Sequence, residues 1–274
     1  MSGGTLWLVA TPIGNLGDLS PRAVEVLAGA SLVCCEDTRR TGRLLQHAGV
    51  RVERLAVANE HTEFHRIDDV LAELGAGNDV AVVSDAGTPG VSDPGERLVR
   101  AAIDAGYTVS AVPGPVAAIT ALTISGLPTD RFVFEGFLPR TGRPRADRIA
   151  ELAAESRTTV LYEAPHRIER TLTDLRSACG DDRPVVVCRE LTKLYETMQR
   201  ATLGTIDVGT PKGEYVVVLA GAAADETPVD DDTLVAAIQA ELEAGASTRD
   251  AAATVARRFG VAKRSVYALA IAAR

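Results

Sequence analysis

The fold is decided by one stretch of the chain, Val80-Ala81-Val82-Val83-Ser84-Asp85-Ala86-Gly87-Thr88-Pro89-Gly90-Val91-Ser92-Asp93-Pro94-Gly95. Its first four residues are apolar and β-branched or small, which is typical of a buried strand. The glycines and prolines that follow predict an irregular loop without a helix. A plain connection from a strand to a helix needs only about two to six residues. Since ligands of open α/β sheets bind at the carboxyl ends of the strands, the sequence predicts a ligand-binding loop here.

The length and composition indicate an ordinary globular protein. With 274 residues the chain is long enough for two domains with a small appendage, and its 46% apolar and 24% charged residues are not those of a disordered chain. It has no apolar run of about 18 residues and does not begin like a signal peptide, so we expect a cytoplasmic protein without a membrane segment. The net charge of −8 argues against a protein that coats nucleic acid nonspecifically.

Strands and helices alternate along the first half of the chain. The apolar runs Leu6 to Ala10, Ser31 to Cys35 and Thr108 to Val112 join the central run in predicting strands, with helical patterns between them. This order predicts a parallel, doubly wound sheet. Pro113-Gly114-Pro115 interrupts the pattern, so we place the end of the first domain at residue 114.

A second α/β unit and a helical tail are predicted for the rest of the chain. Strands are expected at Thr158 to Tyr162, Val185 to Cys188 and Tyr215 to Ala220. From residue 225 onward the pattern predicts three helices, of which the last two resemble a helix-turn-helix. The predicted domains are therefore 1–114, 115–224 and 225–274.

Several charged groups are candidates for function, each with a plainer structural explanation. Glu36-Asp37-Thr38-Arg39-Arg40 follows the second strand at the ligand edge of the sheet, but acids are also common in the first turn of a helix. His61 and His65 are spaced by four residues on a predicted helix face, yet no third ligand is evident and no metal site is predicted. Arg140 to Arg145 is predicted to be a basic loop, and the helical tail is also basic. Both segments suit phosphate contacts. The plainer explanations are a solvated loop for the first and helices that only pack for the second.

Five ordered motifs together resemble the ribosomal RNA small-subunit methyltransferase I family, a branch of the tetrapyrrole-methylase-like S-adenosylmethionine enzymes. They are Leu8 to Asp18, Cys35 to Arg39, Ser84 to Gly95, Tyr162 to Arg167 and Arg189 to Lys193. The resemblance covers essentially the whole chain. It implies two α/β lobes of the tetrapyrrole-methylase type with a cofactor cleft between them, and a small C-terminal helical domain. It also implies a homodimer that methylates the 2′-hydroxyl of a cytidine in the decoding region of 16S rRNA, within the small ribosomal subunit.

The resemblance also implies a set of cofactor contacts. S-adenosyl-L-methionine would be bound by Pro12, Ile13, Asp85, Ala86, Gly87, Thr88, Val116, Ala117, Glu163 and Leu191. Two motifs of the broader class are altered here, to Thr11-Pro12-Ile13-Gly14-Asn15 and to Asp85-Ala86-Gly87-Thr88. Both alterations look like the rRNA branch and make a porphyrin substrate less expected.

Methyl transfer to a ribose hydroxyl needs a group that removes a proton or stabilises the oxygen. The candidates are Lys193, Glu190 and Asp37, with Lys193 first, because it can act as a base if its pKa is lowered and can stabilise an alkoxide if it is charged. A surface ion pair is the plainer explanation for each. Two other functions stay open, a noncatalytic RNA-binding or ribosome-assembly protein and a porphyrin methylase.

Overall fold

The computed structural model describes residues 3–59, 61–223 and 230–272. The chain divides into two compact units, Met1–Ala222 and Ala223–Arg274. The first unit contains two five-stranded sheets, one built from residues before the predicted break at Pro113 and one from residues after it. The division into domains at residues 114 and 224 stays a prediction.

The first sheet is parallel throughout, with the strand order β3-β2-β4-β1-β5. Helices cover both of its faces, as the core clusters on its two sides show. The central strand β4 is buried along its whole length, so its apolar run fits a position between two helical layers. The predicted doubly wound sheet is confirmed. Its elements are β1 (Thr5–Val9), α1 (Pro21–Gly29), β2 (Leu32–Cys35), α2 (Thr38–Ala48), β3 (Arg54–Val57), α3 (Ile67–Gly75), β4 (Val80–Val83), α4 (Glu96–Asp104) and β5 (Thr108–Val112).

The second sheet is mixed, with the order β6-β7-β10-β8-β9, and only β6 and β7 run parallel. One apolar cluster on this sheet also contains Ile13 of the first lobe, so the two lobes share buried surface. The elements of this lobe are α5 (Ala117–Ser125), β6 (Phe132–Phe137), α6 (Gly142–Ala154), β7 (Thr158–Glu163), α7 (Ile168–Cys179), β8 (Pro184–Arg189), β9 (Thr197–Thr202) and β10 (Tyr215–Leu219).

The second compact unit contains the three predicted helices, α8 (Asp231–Glu243), α9 (Thr248–Phe259) and α10 (Lys263–Ala272). They pack around a small core that includes Leu234, Val255 and Val266. The hydroxyl of Ser247 accepts a hydrogen bond from the Asp250 amide and caps α9. The basic residues that the structure describes in this unit are all exposed, namely Arg249, Arg257, Arg258, Lys263 and Arg264, while Arg274 lies outside the described residues.

Two local predictions are wrong. The segment Arg140 to Arg145 is not a loop, because α6 begins at Gly142. His61 and His65 do not share a helix face, since His61 lies in a turn in which the Asn59 side chain accepts the amides of His61 and Thr62. A short 3₁₀ helix, Glu63–Arg66, begins only after this turn.

Candidate active site

The loop from Ser84 to Gly95 contains no helix and lies against a cavity of about 440 Å³ between the two lobes. Residues from both lobes line this cavity, which has the size of a pocket for a small molecule. Every cofactor contact named from the sequence lies on its wall except Pro12, which lines a neighbouring cavity. The cofactor cavity, as we name this space, is therefore where the predicted contacts come together.

Gly87 is the point at which three loops meet. Its carbonyl accepts hydrogen bonds from the Thr11 amide, at 2.9 Å, and from the Ser84 hydroxyl, also at 2.9 Å. Its φ of +94° is one that residues with a side chain rarely adopt. A Cβ at this position would lie 3.3 Å from both the Ile13 side chain and the Pro115 carbonyl oxygen. Glycine is thus required both by the backbone conformation and by the close approach of the loops.

Three carboxyl groups of the first lobe face the cofactor cavity. Glu36 accepts the Asp85 amide at 2.9 Å, and Asp85 in turn accepts the Asp37 amide at 3.2 Å and lies 3.4 Å from the Arg40 guanidinium. Burial raises the pKa of Glu36 and of Asp85. Burial, together with these two neighbouring acids, raises the pKa of Asp93 to about 7. Acidic groups are therefore concentrated in this part of the cavity wall.

Aromatic residues of the second lobe also line the cavity. The Tyr162 hydroxyl accepts the Ala118 amide at 3.2 Å, and burial raises the pKa of this phenol. Phe134 and Phe137 contact the Tyr162 ring at centroid distances of 5.1 and 5.6 Å. Phe137 also lines the cavity and is 53% exposed. It offers an accessible ring face for a planar group.

Glu163 is buried, and both of its carboxylate oxygens are already bonded within the protein. One oxygen accepts the Ala164 amide at 2.9 Å and lies 3.2 Å from the Arg167 guanidinium. The other accepts the Thr171 hydroxyl. The contact of Glu163 with the cofactor stays a prediction. What the structure shows is that these hydrogen bonds and the ion pair hold the Glu163 carboxylate in place in the cavity wall.

Lys193 and Glu190 lie next to the cavity, but neither side chain lines it. The Lys193 amine is 2.8 Å from both Glu190 and Glu214, and Glu214 does line the cavity. Burial lowers the pKa of Lys193, but the hydrogen bonds to the two glutamates more than offset this, and the net pKa is raised. Burial raises the pKa of Glu190, but the hydrogen bonds from Lys193 and the Glu214 amide lower it by more. The net pKa of Glu190 is therefore below its usual value. Of the two roles predicted for Lys193, this favours the charged one.

The loop that carries Lys193 packs directly on the first lobe. The Asn15 amide donates to the Thr192 hydroxyl at 3.2 Å. A Cβ at Gly14 would lie 2.8 Å from that hydroxyl oxygen and 3.1 Å from the Leu191 carbonyl. Glu190 and Thr192 adopt φ values of +53° and +66°, which side-chain-bearing residues seldom do. The loop is held in an unusual conformation at the junction of the lobes.

Asp37 caps helix α2 and does not line the cavity. Its carboxylate accepts the Arg39 amide and pairs with the Arg39 guanidinium at 2.8 Å. The Arg39 side chain, followed by the Arg39 amide, holds the pKa of Asp37 well below its usual range. Its proposed part in the chemistry stays a prediction, and this arrangement favours the capping role.

Glu36, Asp93, Phe137 and Tyr162 face the cavity but are not among the residues assigned from the sequence to cofactor binding or catalysis, although Glu36 was a candidate among the charged groups. The first two carried a usable signal, because both are carboxylates at the carboxyl edge of the first sheet. The two aromatic residues carried none. They come together because β6 and β7 pair across a bulge between Phe134 and Gly136, and this register could not be read from the sequence.

A second cavity of about 280 Å³ adjoins the first and shares Arg40 and Asp85 with it. Pro12 and Arg43 also line it. The exposed arginines Arg39, Arg40 and Arg43 all belong to helix α2, which contains no acidic residue. Arg43 forms no ion pair with any residue that the structure describes. This helix therefore presents positive charge beside the acidic cofactor cavity.

The arginines at the start of α6 are mostly engaged within the protein. Arg145 is buried, with its guanidinium 2.8 Å from Asp174 and 2.9 Å from the Thr171 hydroxyl. Arg148 pairs with Glu135 and Glu151, and Arg143 lies 3.5 Å from Asp147. A role of this segment in phosphate binding stays a prediction that few of its guanidiniums are free to support.

The described part of the chain contains no group of three or more His, Cys, Asp or Glu residues that could hold a metal ion. In the same residues, no helix is both long enough and apolar enough to cross a membrane.

Comparison with known proteins gives the family. Residues 5–207 match the family model of tetrapyrrole (corrin/porphyrin) methylases. A protein of Synechocystis sp. named ribosomal RNA small subunit methyltransferase I is 45% identical, over 98% of this chain and 98% of its own. The chain belongs to the ribosomal RNA small subunit methyltransferase I family. A member of this family from Escherichia coli O157:H7 is 44% identical, over 98% of this chain and 96% of its own.

Solved structures place the family within the wider methylase fold. The methyltransferase CobJ matches with a TM-score of 0.60 and 21% identity, over 81% of this chain and 95% of that one. Uroporphyrin-III-C-methyltransferase from Thermus thermophilus matches with a TM-score of 0.54 and 21% identity, over 78% and 94%. At this identity the likeness shows the fold alone. The predicted tetrapyrrole-methylase architecture is confirmed.

Proposed function

We propose that the chain transfers a methyl group from S-adenosyl-L-methionine to the 2′-hydroxyl of a cytidine in 16S rRNA, within the small ribosomal subunit. The full-length similarity to relatives named ribosomal RNA small subunit methyltransferase I carries this proposal. The cavity between the lobes supports it, because every cofactor contact that the family motifs imply, except Pro12, lines that one space.

The lining of the cofactor cavity suits this cofactor, which combines a cationic sulfonium with an apolar and aromatic nucleoside. Ile13, Val116 and Leu191 supply apolar wall, while Glu36, Asp85 and Asp93 supply the negative charge that attracts a cation. The loop from Asp85 to Thr88 lines the cavity, and the lack of a side chain at Gly87 permits the close approach of Ile13 and Pro115 that shapes this wall. When bound, the cofactor supplies an electrophilic methyl group.

The substrate side of the site has a different charge. Arg40 and Arg43 line the second cavity, which opens next to the cofactor cavity. Guanidinium groups bind phosphate oxygens through paired hydrogen bonds. We propose that α2 holds the phosphates that flank the target nucleotide, and that the exposed basic residues of the tail add affinity of the same kind.

Lys193 has a proposed role at the reacting oxygen. Its two carboxylate partners keep the amine protonated, and one of them, Glu214, belongs to the cavity wall. A positive charge at this position stabilises negative charge that develops on the ribose oxygen. Glu190 would then orient the lysine, and Asp37 would fix the arginines of α2.

We also propose that the protein works in the cytoplasm as a homodimer. The cellular site follows from its proposed substrate. The loop at the junction of the lobes leaves Leu194 and Tyr195 exposed by 89% and 69%, and such apolar side chains suit a subunit contact. Sedimentation equilibrium of the purified chain checks the dimer, and a single species of monomer mass at micromolar concentration would refute it.

The experiment that tests the function measures transfer of labelled methyl groups from S-adenosyl-L-methionine to three acceptors. These are small ribosomal subunits isolated from a strain lacking the enzyme, subunits from the wild-type strain, and uroporphyrinogen III. We expect label only in the subunits from the deficient strain. Label in the porphyrin alone would establish a porphyrin methylase, and binding of subunits without any transfer would establish a noncatalytic protein.

A further inference from the structure

The cofactor cavity has a buried part and an exposed part. Ile13 and Leu191 belong to its buried apolar wall, whereas Val91 and Phe137, which line the same space, are 40% and 53% exposed. A small molecule that a protein encloses takes the buried part, where most of its surface is covered. A nucleotide that belongs to a large RNA enters from solvent, so it meets the exposed part first.

The fold holds the Phe137 ring at this exposed part. The ring is tilted by 57° against the Tyr162 ring, with 5.6 Å between the centroids. Phe137 follows Gly136, which has a φ of +67° at the bulge where β6 pairs with β7. A Cβ at Gly136 would lie 3.1 Å from the Ser92 hydroxyl oxygen, so β6 approaches the first-lobe loop here. A side chain fixed in this way loses little conformational entropy when a ligand covers it.

Phe137 is also distinct from the other exposed aromatic residues. Among the residues that the structure describes, these are Phe64, Tyr195 and Tyr267, and none of the three lines the cofactor cavity. The Phe137 ring carries no charge and no hydrogen-bonding group, so it recognises a ligand by stacking and apolar contact. Unstacked bases of RNA are bound by proteins in this way, on the faces of aromatic side chains.

Methylation inside the cavity makes such a contact useful. The reacting hydroxyl has to reach the methyl group, so the target nucleotide has to leave its neighbours in the RNA. The stacking that its base loses is a free-energy cost, and an aromatic surface at the entrance offsets that cost. Val91 adds apolar surface beside the same entrance.

We propose that Phe137 binds the target nucleotide by stacking on its cytosine base, an inference that rests on the proposed function. The guanidiniums of α2 hold the flanking phosphates, and the Phe137 ring holds the base, which orients the ribose toward the methyl group. Because every base has a π-face, this contact adds affinity and orientation without selecting cytosine over other bases.

The test compares Phe137→Ala with wild type and with Phe64→Ala. Phe64 is a matched control, since its side chain is 64% exposed and does not line the cavity. Phe137→Leu removes the ring but keeps apolar volume, and Phe137→Tyr keeps the ring. Three quantities are measured for each variant, namely the single-turnover rate of methylation of deficient subunits, the dissociation constant of these subunits, and the cofactor affinity by calorimetry. Subunit binding is measured between about 50 and 200 mM salt, with S-adenosyl-L-homocysteine in place of the cofactor so that no transfer occurs.

We expect the ratio of the methylation rate to the subunit dissociation constant to fall about 5- to 150-fold in Phe137→Ala, as for loss of one stacked base. The salt slope should stay as in wild type, because no phosphate contact is lost. Cofactor affinity should also be unchanged. Phe137→Tyr should restore most of the ratio, Phe137→Leu should restore much less, and Phe64→Ala should match wild type.

Each outcome decides the matter. Equal effects of Phe137→Ala and Phe64→Ala, a loss confined to cofactor affinity, or a changed salt slope overturns the inference and leaves the methyltransferase intact. If the wild type methylates no RNA at all, the proposed function fails, and the inference fails with it. If Phe137→Ala does not fold, Phe137→Leu and Phe137→Tyr still decide, since equal ratios in these two variants exclude stacking on the ring.

Discussion

Replacing Gly87 with alanine tests the cofactor cavity without removing any functional group. The alanine would have to adopt the φ of +94° that Gly87 has. Its methyl group would lie 3.3 Å from both the Ile13 side chain and the Pro115 carbonyl oxygen. The carbonyl belongs to backbone, so relief requires the loops to move apart by a few tenths of an ångström. The loop conformation that lines the cavity is therefore the one that the substitution penalises.

The size of the effect follows from this strain. An alanine held in a disfavoured region of φ and ψ raises the free energy of the binding-competent loop by about 1–3 kcal/mol. Each 1.4 kcal/mol changes an affinity about tenfold. The dissociation constant of S-adenosyl-L-methionine should therefore rise by about 5- to 150-fold. Gly77→Ala is the matched control. Gly77 has a similar φ of +85°, but nothing lies within 4 Å of its added Cβ, and it does not line the cofactor cavity.

The assay is titration calorimetry of both variants, with thermal unfolding measured alongside. Both variants should unfold at a lower temperature than wild type, because both carry the backbone strain. Only Gly87→Ala should lose affinity. The placement of the cofactor would be refuted by wild-type affinity in Gly87→Ala, or by an equal loss in Gly77→Ala.

Three further outcomes are expected. Lys193→Met should slow single-turnover methylation by about 10²- to 10³-fold without changing cofactor affinity. The difference in rate from wild type should shrink at high pH, where the ribose hydroxyl loses its proton more readily. A near-normal rate would exclude Lys193 from the chemical step. Arg43→Ala should weaken binding of deficient subunits and reduce the magnitude of the salt slope by about 1, as loss of one phosphate contact does, whereas Arg100→Ala on an exposed part of α4 should change neither; equal effects of the two variants would exclude a specific role for α2. A chain that ends at residue 225 should bind RNA more weakly and with a flatter salt dependence, and unchanged binding would make the tail a structural appendage.

The sequence was sufficient for the parts of the fold that depend on local pattern. Buried strands such as β4 are continuous apolar runs, and the glycines and prolines after it predict the loop that the structure confirms. It was insufficient for β3 and β9. Both are edge strands with polar residues such as Arg54 and Arg200, whose strand conformation depends on pairing with β2 and β8.

The site was predictable to the same extent. Ile13, Asp85 and Gly87, which the family motifs select, line one cavity, because carboxyl ends of parallel strands meet at one edge of a sheet; their contacts with the cofactor stay predictions. The ion-pair partners and the burial of charged side chains could not be predicted from the sequence. Lys193 pairs with Glu214, which is distant in sequence, and Arg145 is buried against Asp174, so both lie in surroundings that only the folded chain creates.

The central claim is tested most directly by mass spectrometry of the nucleosides in the reaction product. Small subunits from a deficient strain are incubated with the enzyme and with cofactor that carries a trideuterated methyl group, and their 16S rRNA is digested to nucleosides. The account predicts trideuterated 2′-O-methylcytidine, about one per subunit at completion as for a single target hydroxyl, with much less formed over the same time by Lys193→Met. Label on a base, on another nucleoside, or on none would contradict it.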